Sequence, residues 1–395
     1  MHRITLPKKT NPSWLDRWHV HASMNSDYDV IDGLRGIAIL LVVACHLFSF
    51  SSNSSDLIRL IGGTISAGKC GVTLFFCLSG FLISLPFWKR KMRSTSPITP
   101  PGYVGRRLWK IYPPLALSIL ICAPIDMISL GPKPILSTAL FWLTGMPLLF
   151  PVSSALNGVM WTLIVEIHFY ATLPLLFLLT NKTSYRTTMI ILFSALLIIP
   201  TAYKWWLLRQ GLGPTLTPMI DTQYPVLLSG FAGGVLIASL ECLTKIGKHL
   251  ARFSLFGFTL IALSMVAISL LDLYPPAPHS SAILSEIIYF IQLLAAGLLL
   301  LLIADPTGLV SKLISTPFLR WFGIISYEWY LLHQPIHHLY CHYFGSADGN
   351  FGRWLTMLIT TSTVSLLLAA AIYLGFSKPI LQWGRNRNRI QKSIP

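Results

Sequence analysis

Long apolar runs separated by short polar or turn-forming clusters occupy most of this chain. Ten of them reach the length an α-helix needs to cross hydrocarbon, at about residues 31–50, 71–88, 112–130, 158–180, 187–204, 224–240, 254–272, 283–304, 321–343 and 354–377. An eleventh stretch, 135–151, is apolar but carries Gly145, Pro147 and Pro151. If it crossed the membrane, every later loop would change sides. The charges arbitrate, because cytoplasmic loops collect Lys and Arg. With ten spans and both termini cytoplasmic, the inside segments hold 23 of the 30 Lys and Arg and the outside loops hold 5, with Arg35 and Lys204 lying within spans. The pattern predicts an all-α, polytopic membrane protein of about ten helices, with 135–151 re-entrant or interfacial on the outer side. It divides into a cytoplasmic tail (1–30), one membrane domain (31–377) and a basic cytoplasmic tail (378–395).

Composition agrees. Of the 395 residues, 53% are hydrophobic and only 11% charged, with a mean hydropathy of +0.63, too few charges to cover a water-facing surface. The net charge of +16 would suggest nucleic acid in a soluble protein; distributed as it is, it is a topology signal, and nucleic acid drops out as a partner. Of six cysteines, Cys45, Cys77 and Cys122 fall inside apolar runs and Cys70 reads as a loop residue, so no disulfide framework is implied. Residues 1–30 lack a secretory signal's short apolar core, so the first run is expected to remain as a helix.

Function must then sit among the helices, where an ionisable residue costs about 2.5–3.5 kcal/mol at the bilayer centre and needs a partner. Arg35 and His46 are eleven residues apart on the first helix, which places them on one face about 16 Å apart along the axis. Asp32 is a candidate partner for the Arg35 guanidinium. The alternatives are snorkelling for Arg35 and a neutral packing role for His46. Glu166 and His168 diverge by about 200° and cannot serve one cavity. Glu166 shares its face with Thr162 and Tyr170, which favours it as the inward residue, against the alternative of a protonated bridge between helices. Ser326, Tyr330, His333 and His337 form a polar stripe on the ninth span, with Glu328 roughly opposite. The histidines near 337–342 do not have zinc-ligand spacing, and no metal is expected. Finally, residues 89–111 carry Lys89, Arg90, Lys91, Arg93, Arg106, Arg107 and Lys110, suited either to anionic membrane lipid or to the phosphates of a cytosolic cofactor.

Five segments in order, IDGLRGIAILLVVACH, GVTLFFCLSGFLI from Gly71, RRLWKIYPPLAL from Arg106, WTLIVEIHFY from Trp161 and LRWFGIISYEWYLLHQP from Leu319, resemble the signature segments of the acyltransferase-3 membrane family. The resemblance implies a ten-helix O-acyltransferase of the bacterial inner membrane, which moves an acyl group, commonly acetyl, from acyl-CoA to a hydroxyl of a saccharide or glycan acceptor such as a cell-envelope polysaccharide. It also implies roles for Arg35 and His46, for Arg106 and Arg107, for Glu166, and for Ser326, Tyr327, Tyr330 and His333. Thr73 departs from the pattern, since many relatives carry Asp there. On this basis acyl-CoA (acetyl-CoA) is the expected co-substrate, its phosphates held by Arg106, Arg107 and Lys110. His46 is the expected base or acyl acceptor, oriented by Glu166, with Tyr330, His333 and Arg35 as candidates to stabilise the oxyanion. Two other readings stay open: acylation of a small molecule such as a macrolide, and transport or flipping of a lipid-linked saccharide.

Overall fold

The computed structural model of the chain describes residues 15, 18, 26–47, 56–95, 98–130, 158–209, 227–241, 251–274, 278–347 and 350–384. Among these residues every regular element is helical, as hydrocarbon requires of a single chain that must satisfy each backbone N–H and C=O internally. The α-helices are α1 (Ser26–Leu47), α2 (Asp56–Ser66), α3 (Cys70–Met92), α4 (Tyr103–Leu130), α5 (Trp161–Leu179), α6 (Tyr185–Arg209), α7 (Ser229–Glu241), α8 (Ser254–Leu273), α9 (Pro278–Leu300), α10 (Leu309–Ile314), α11 (Pro317–Ile324), α12 (Ser326–Phe344) and α13 (Phe351–Ile372). The candidate re-entrant stretch 135–151 lies outside the described residues.

Among the described residues, eight of the ten expected spans correspond to helices long and apolar enough to cross a membrane. The sixth is described only over residues 227–241, where α7 has 13 residues, and the start of that span lies outside the described residues. The ninth is two helices, α11 and α12, broken at Ile325; the run looks continuous in a hydropathy window, and α12's four histidines and Glu328 make it the most polar of the long helices. Cys70 is also corrected, being the buried first residue of α3 rather than a loop residue.

Prolines inside the helices free carbonyls that other helices then satisfy. Pro174 leaves the Tyr170 carbonyl without its N–H partner, and the Tyr103 hydroxyl of α4 donates to it at 3.0 Å. Pro335 does the same to Leu331, whose carbonyl accepts from Cys122 Sγ at 3.7 Å. These bonds fix α4 against α5 and α12.

Small residues bring α1 and α11 together at backbone distance. A Cβ on Gly323 would lie 1.8 Å from the Asp32 carbonyl oxygen, and one on Gly36 would lie 2.0 Å from that of Leu319. An Arg320–Asp29 ion pair at 2.5 Å holds the same junction from the side. Because only Ile325 separates α11 from α12, this packing sets Ser326 beside Arg35.

Candidate functional site

A cavity of about 70 Å³ lies between α1, α3, α4, α5 and α12. Its polar side chains are Arg35, Ser79, Lys110, Thr162, Glu166, Ser326, Tyr327 and Tyr330, and its apolar ones are Val72, Phe75, Phe76, Leu78, Leu82 and Leu163. Arg35, Glu166 and Tyr330, expected from sequence as site residues, all line it, as does Lys110. His168 does not, in keeping with its different face on α5.

Near the basic end of α3 and α4, the Arg35 guanidinium donates to Ser326 Oγ at 3.0 Å, and Ser326 donates in turn to the Gly323 carbonyl at 2.8 Å. Ser326 thus hands the tight α1–α11 junction on to the arginine. Glu166 accepts from Tyr170 O–H at 2.6 Å and from Ser79 O–H at 2.8 Å. Tyr327 is held at the cavity wall by its hydroxyl, which donates to the Ile111 carbonyl at 3.2 Å. Guanidinium, ammonium and carboxylate therefore share one partly open cavity within the helix bundle, where charges act more strongly than in bulk water on whatever enters.

The basic loop divides into different jobs. Lys91 is buried and donates to the carbonyls of Thr180 and Asn181 at 2.7 and 2.8 Å. It caps the C-terminus of α5, where orphan carbonyls and the helix dipole favour a cation. Arg107 lies over the rings of Tyr103 (5.6 Å) and Tyr170 (5.3 Å), a cation–π arrangement, and so sits one residue removed from Glu166. Arg106 is half-buried and donates to the Pro101 carbonyl at 2.7 Å. Neither arginine lines the cavity; Lys110 is the basic side chain of this loop that does.

His46 is where sequence reasoning and structure part. Its partner is His333: His333 Nε2 lies 3.1 Å from His46 Nδ1. Glu166, expected to orient the ring, is committed to Ser79 and Tyr170 at the cavity. The hydrogen bonds also determine the tautomers of neutral rings. His333 Nδ1 faces the Trp329 carbonyl at 3.2 Å, an acceptor only, so Nδ1 carries the proton and Nε2 the lone pair. That lone pair requires a proton on His46 Nδ1, which the Val42 carbonyl at 3.0 Å requires as well. His46 Nε2 is left as a lone pair, the form in which an imidazole can take a proton or attack an acyl carbon.

Tyr330 joins the two regions. It lines the cavity, and its ring packs on His333 with centroids 5.8 Å apart. Its hydroxyl donates to the Val159 carbonyl (2.9 Å) and accepts from Thr162 (2.8 Å), so its proton is engaged rather than offered to a developing oxyanion. Ser79 went unnoticed in the sequence; the signal was a lone hydroxyl on the α3 face shared with Val72, Phe75, Phe76 and Leu82, visible at helical spacing.

The family model for an acyltransferase domain matches residues 28–375. The putative membrane-bound transacylase BcsY of Komagataeibacter xylinus is 23% identical over 90% of this chain and 86% of its own length. Acyltransferase MdmB of Streptomyces mycarofaciens is 28% identical over 49% of the chain and 47% of its own length, and the peptidoglycan O-acetyltransferase OatA of Listeria monocytogenes is 24% identical over 78% and 49% respectively. The chain thus spans about half the length of MdmB and OatA. No solved structure matches it significantly. With a matching model over most of its length and eight membrane-length apolar helices, the chain is a multi-pass integral membrane protein that belongs to the acyltransferase-3 family.

Proposed function

We propose that this protein is a membrane O-acyltransferase that moves an acyl group, acetyl in the first instance, from acyl-CoA to a hydroxyl of a saccharide acceptor. The observation that carries the reading is the cavity of Arg35, Lys110 and Glu166, joined through Tyr330 and His333 to a His46 whose Nε2 is a lone pair. OatA, which shares the family, is named for O-acetylation of peptidoglycan, a glycan, and this supports a saccharide acceptor here.

In this reading the membrane domain 31–377 holds the whole machinery, and the basic residues of 89–111 face the cytoplasm, where acyl-CoA is found. Arg107, Arg106 and Lys110 attract the CoA phosphates to the cavity mouth, and the pantetheine arm enters past Arg35. His46 Nε2 removes the proton of the acceptor hydroxyl as its oxygen attacks the thioester carbonyl. The new C–O bond forms, the C–S bond breaks, and the proton passes from His46 to the departing sulfur to give the CoA thiol. His333 accepts from Nδ1–H throughout and stabilises the imidazolium that forms transiently. Arg35 stands about three helical turns from His46 on α1 and therefore holds the donor's arm rather than the oxyanion.

The test is full-length protein in proteoliposomes given acetyl-CoA and soluble peptidoglycan fragments. Ester formed on the glycan in step with free CoA thiol supports the reading. Saccharide crossing the bilayer with the thioester intact would replace it with transport, and neither product with any glycan would overturn the acceptor class.

A further inference from the structure

The cavity has a direction, and aromatic rings line its end away from the basic residues. Along α3 its lining runs from Leu82 and Ser79, near the basic end of that helix, to Phe76, Phe75 and Val72. The opposite wall at that depth is Tyr330, which Phe75 meets edge-on with centroids 6.4 Å apart. Behind Tyr330 stands His333, fully buried, and on it His46. Neither imidazole lines the cavity. A layer of aromatic rings, backed by His333, therefore separates the place where a donor's acyl group would rest from His46.

The members of this layer are not equally free to move. Tyr330 is tied by two hydrogen bonds, to Val159 and Thr162. Phe76 is stacked on Phe231 at 4.9 Å, set edge-on against Trp161 at 6.4 Å, and pressed on by Gly230, where an added Cβ would lie 2.9 Å from its ring. Phe75 is only half-buried and has no polar atom to satisfy, so turning its side chain costs contacts and no hydrogen bond.

We infer that Phe75 is the residue that sets acyl-chain selectivity: its ring fixes how far an acyl group can advance from the donor cavity toward His46, and so limits the enzyme to short acyl groups. The inference rests on the acyl-CoA reading above and deepens it. A short acyl group fits beside the turned ring. A longer one meets Tyr330, which cannot give way without losing its two bonds. Removing the ring lengthens the apolar end of the cavity along the line of Val72.

Both binding and turnover test this, on full-length protein in nanodiscs. Non-hydrolysable thioether analogues of acetyl-, butyryl- and hexanoyl-CoA are titrated against wild type, Phe75→Ala and Phe75→Trp, and the corresponding thioesters are assayed for transfer to peptidoglycan fragments. Wild type should favour the short chain, and Phe75→Ala should raise the hexanoyl-to-acetyl affinity ratio by about tenfold or more, on the scale at which a pocket senses methylenes. Phe75→Trp should retain affinity for CoA itself while losing butyryl transfer. Wild-type chain preference in the Ala variant overturns the inference even if acetyl transfer proceeds, and leaves the acyl-CoA reading intact. A shifted binding ratio without glycan acylation supports Phe75 and removes the acceptor instead. Failure of every analogue to bind wild type overturns both. The Ala variant decides the matter if the Trp variant does not fold.

Discussion

Replacing His333 with Phe isolates the contribution of the second imidazole. Phenylalanine keeps most of the ring volume and its contact with Tyr330, but removes the lone pair that accepts from His46 Nδ1–H at 3.1 Å. A neutral hydrogen bond of this kind is worth about 1 kcal/mol net, which is about fivefold in the population of the reactive tautomer. The Val42 carbonyl remains as acceptor at 3.0 Å, so the tautomer is weakened and not reversed. Loss of support for the imidazolium adds to this, and a fall in kcat of about 5- to 50-fold is expected, set against about 10²- to 10⁴-fold for losing the general base in His46→Ala. Donor KM should stay at the wild-type value, since His333 does not line the cavity. His333→Gln, whose amide oxygen can accept in place of Nε2, should recover most of the rate. Steady-state transfer measured in proteoliposomes gives the kcat and KM split, and ¹⁵N spectra of histidine-labelled protein report the His46 tautomer directly. Wild-type kcat in the Phe variant, or an equal loss in the Phe and Gln variants with an unchanged His46 tautomer, would refute the assignment.

Other substitutions separate the jobs within the basic loop and the packing beneath the site. Lys91→Met removes two charged hydrogen bonds to the end of α5; a loss of about 2–4 kcal/mol of stability, seen as a lower thermal midpoint, is expected with donor KM unchanged. Arg107→Ala should behave the opposite way, raising donor KM several-fold with little effect on thermal stability, and Arg106→Ala should do the same more weakly. Tyr103→Phe leaves the carbonyl freed by Pro174 unsatisfied, at a cost of about 1–3 kcal/mol in the same thermal assay. Gly323→Ala puts a Cβ 1.8 Å from the Asp32 carbonyl, which the α1–α11 junction cannot absorb in place; folded yield should fall, and any folded fraction should have lost donor affinity as Ser326 moves off Arg35.

What could be read from the sequence follows from which forces are local. Lipid forces each apolar run into a helix wherever it sits in the chain, so most spans were legible, and the i, i+4 stripes correctly put Thr162, Glu166 and Tyr170 on one face of α5 and Ser326 and Tyr330 on one face of α12. The break at Ile325 was not legible, because hydropathy averages over a window wider than a single non-helical residue. Which stripes face each other was not legible either. His46 and His333 are 287 residues apart, and nothing in either helix alone favours that pairing over His46 with Glu166, since both supply a group able to hold an imidazole. The choice is made by backbone contact at Gly36 and Gly323, which fixes α12 against α1 by way of α11, and by Tyr170 and Ser79, which occupy Glu166 from its own side of the cavity. Lys91 shows the converse: its charge type and neighbours suited a phosphate, yet α3 delivers it to the end of α5, where two orphan carbonyls claim it first. A residue's chemistry limits the roles open to it, and the nearest unsatisfied group, set by helix packing, determines which role it takes.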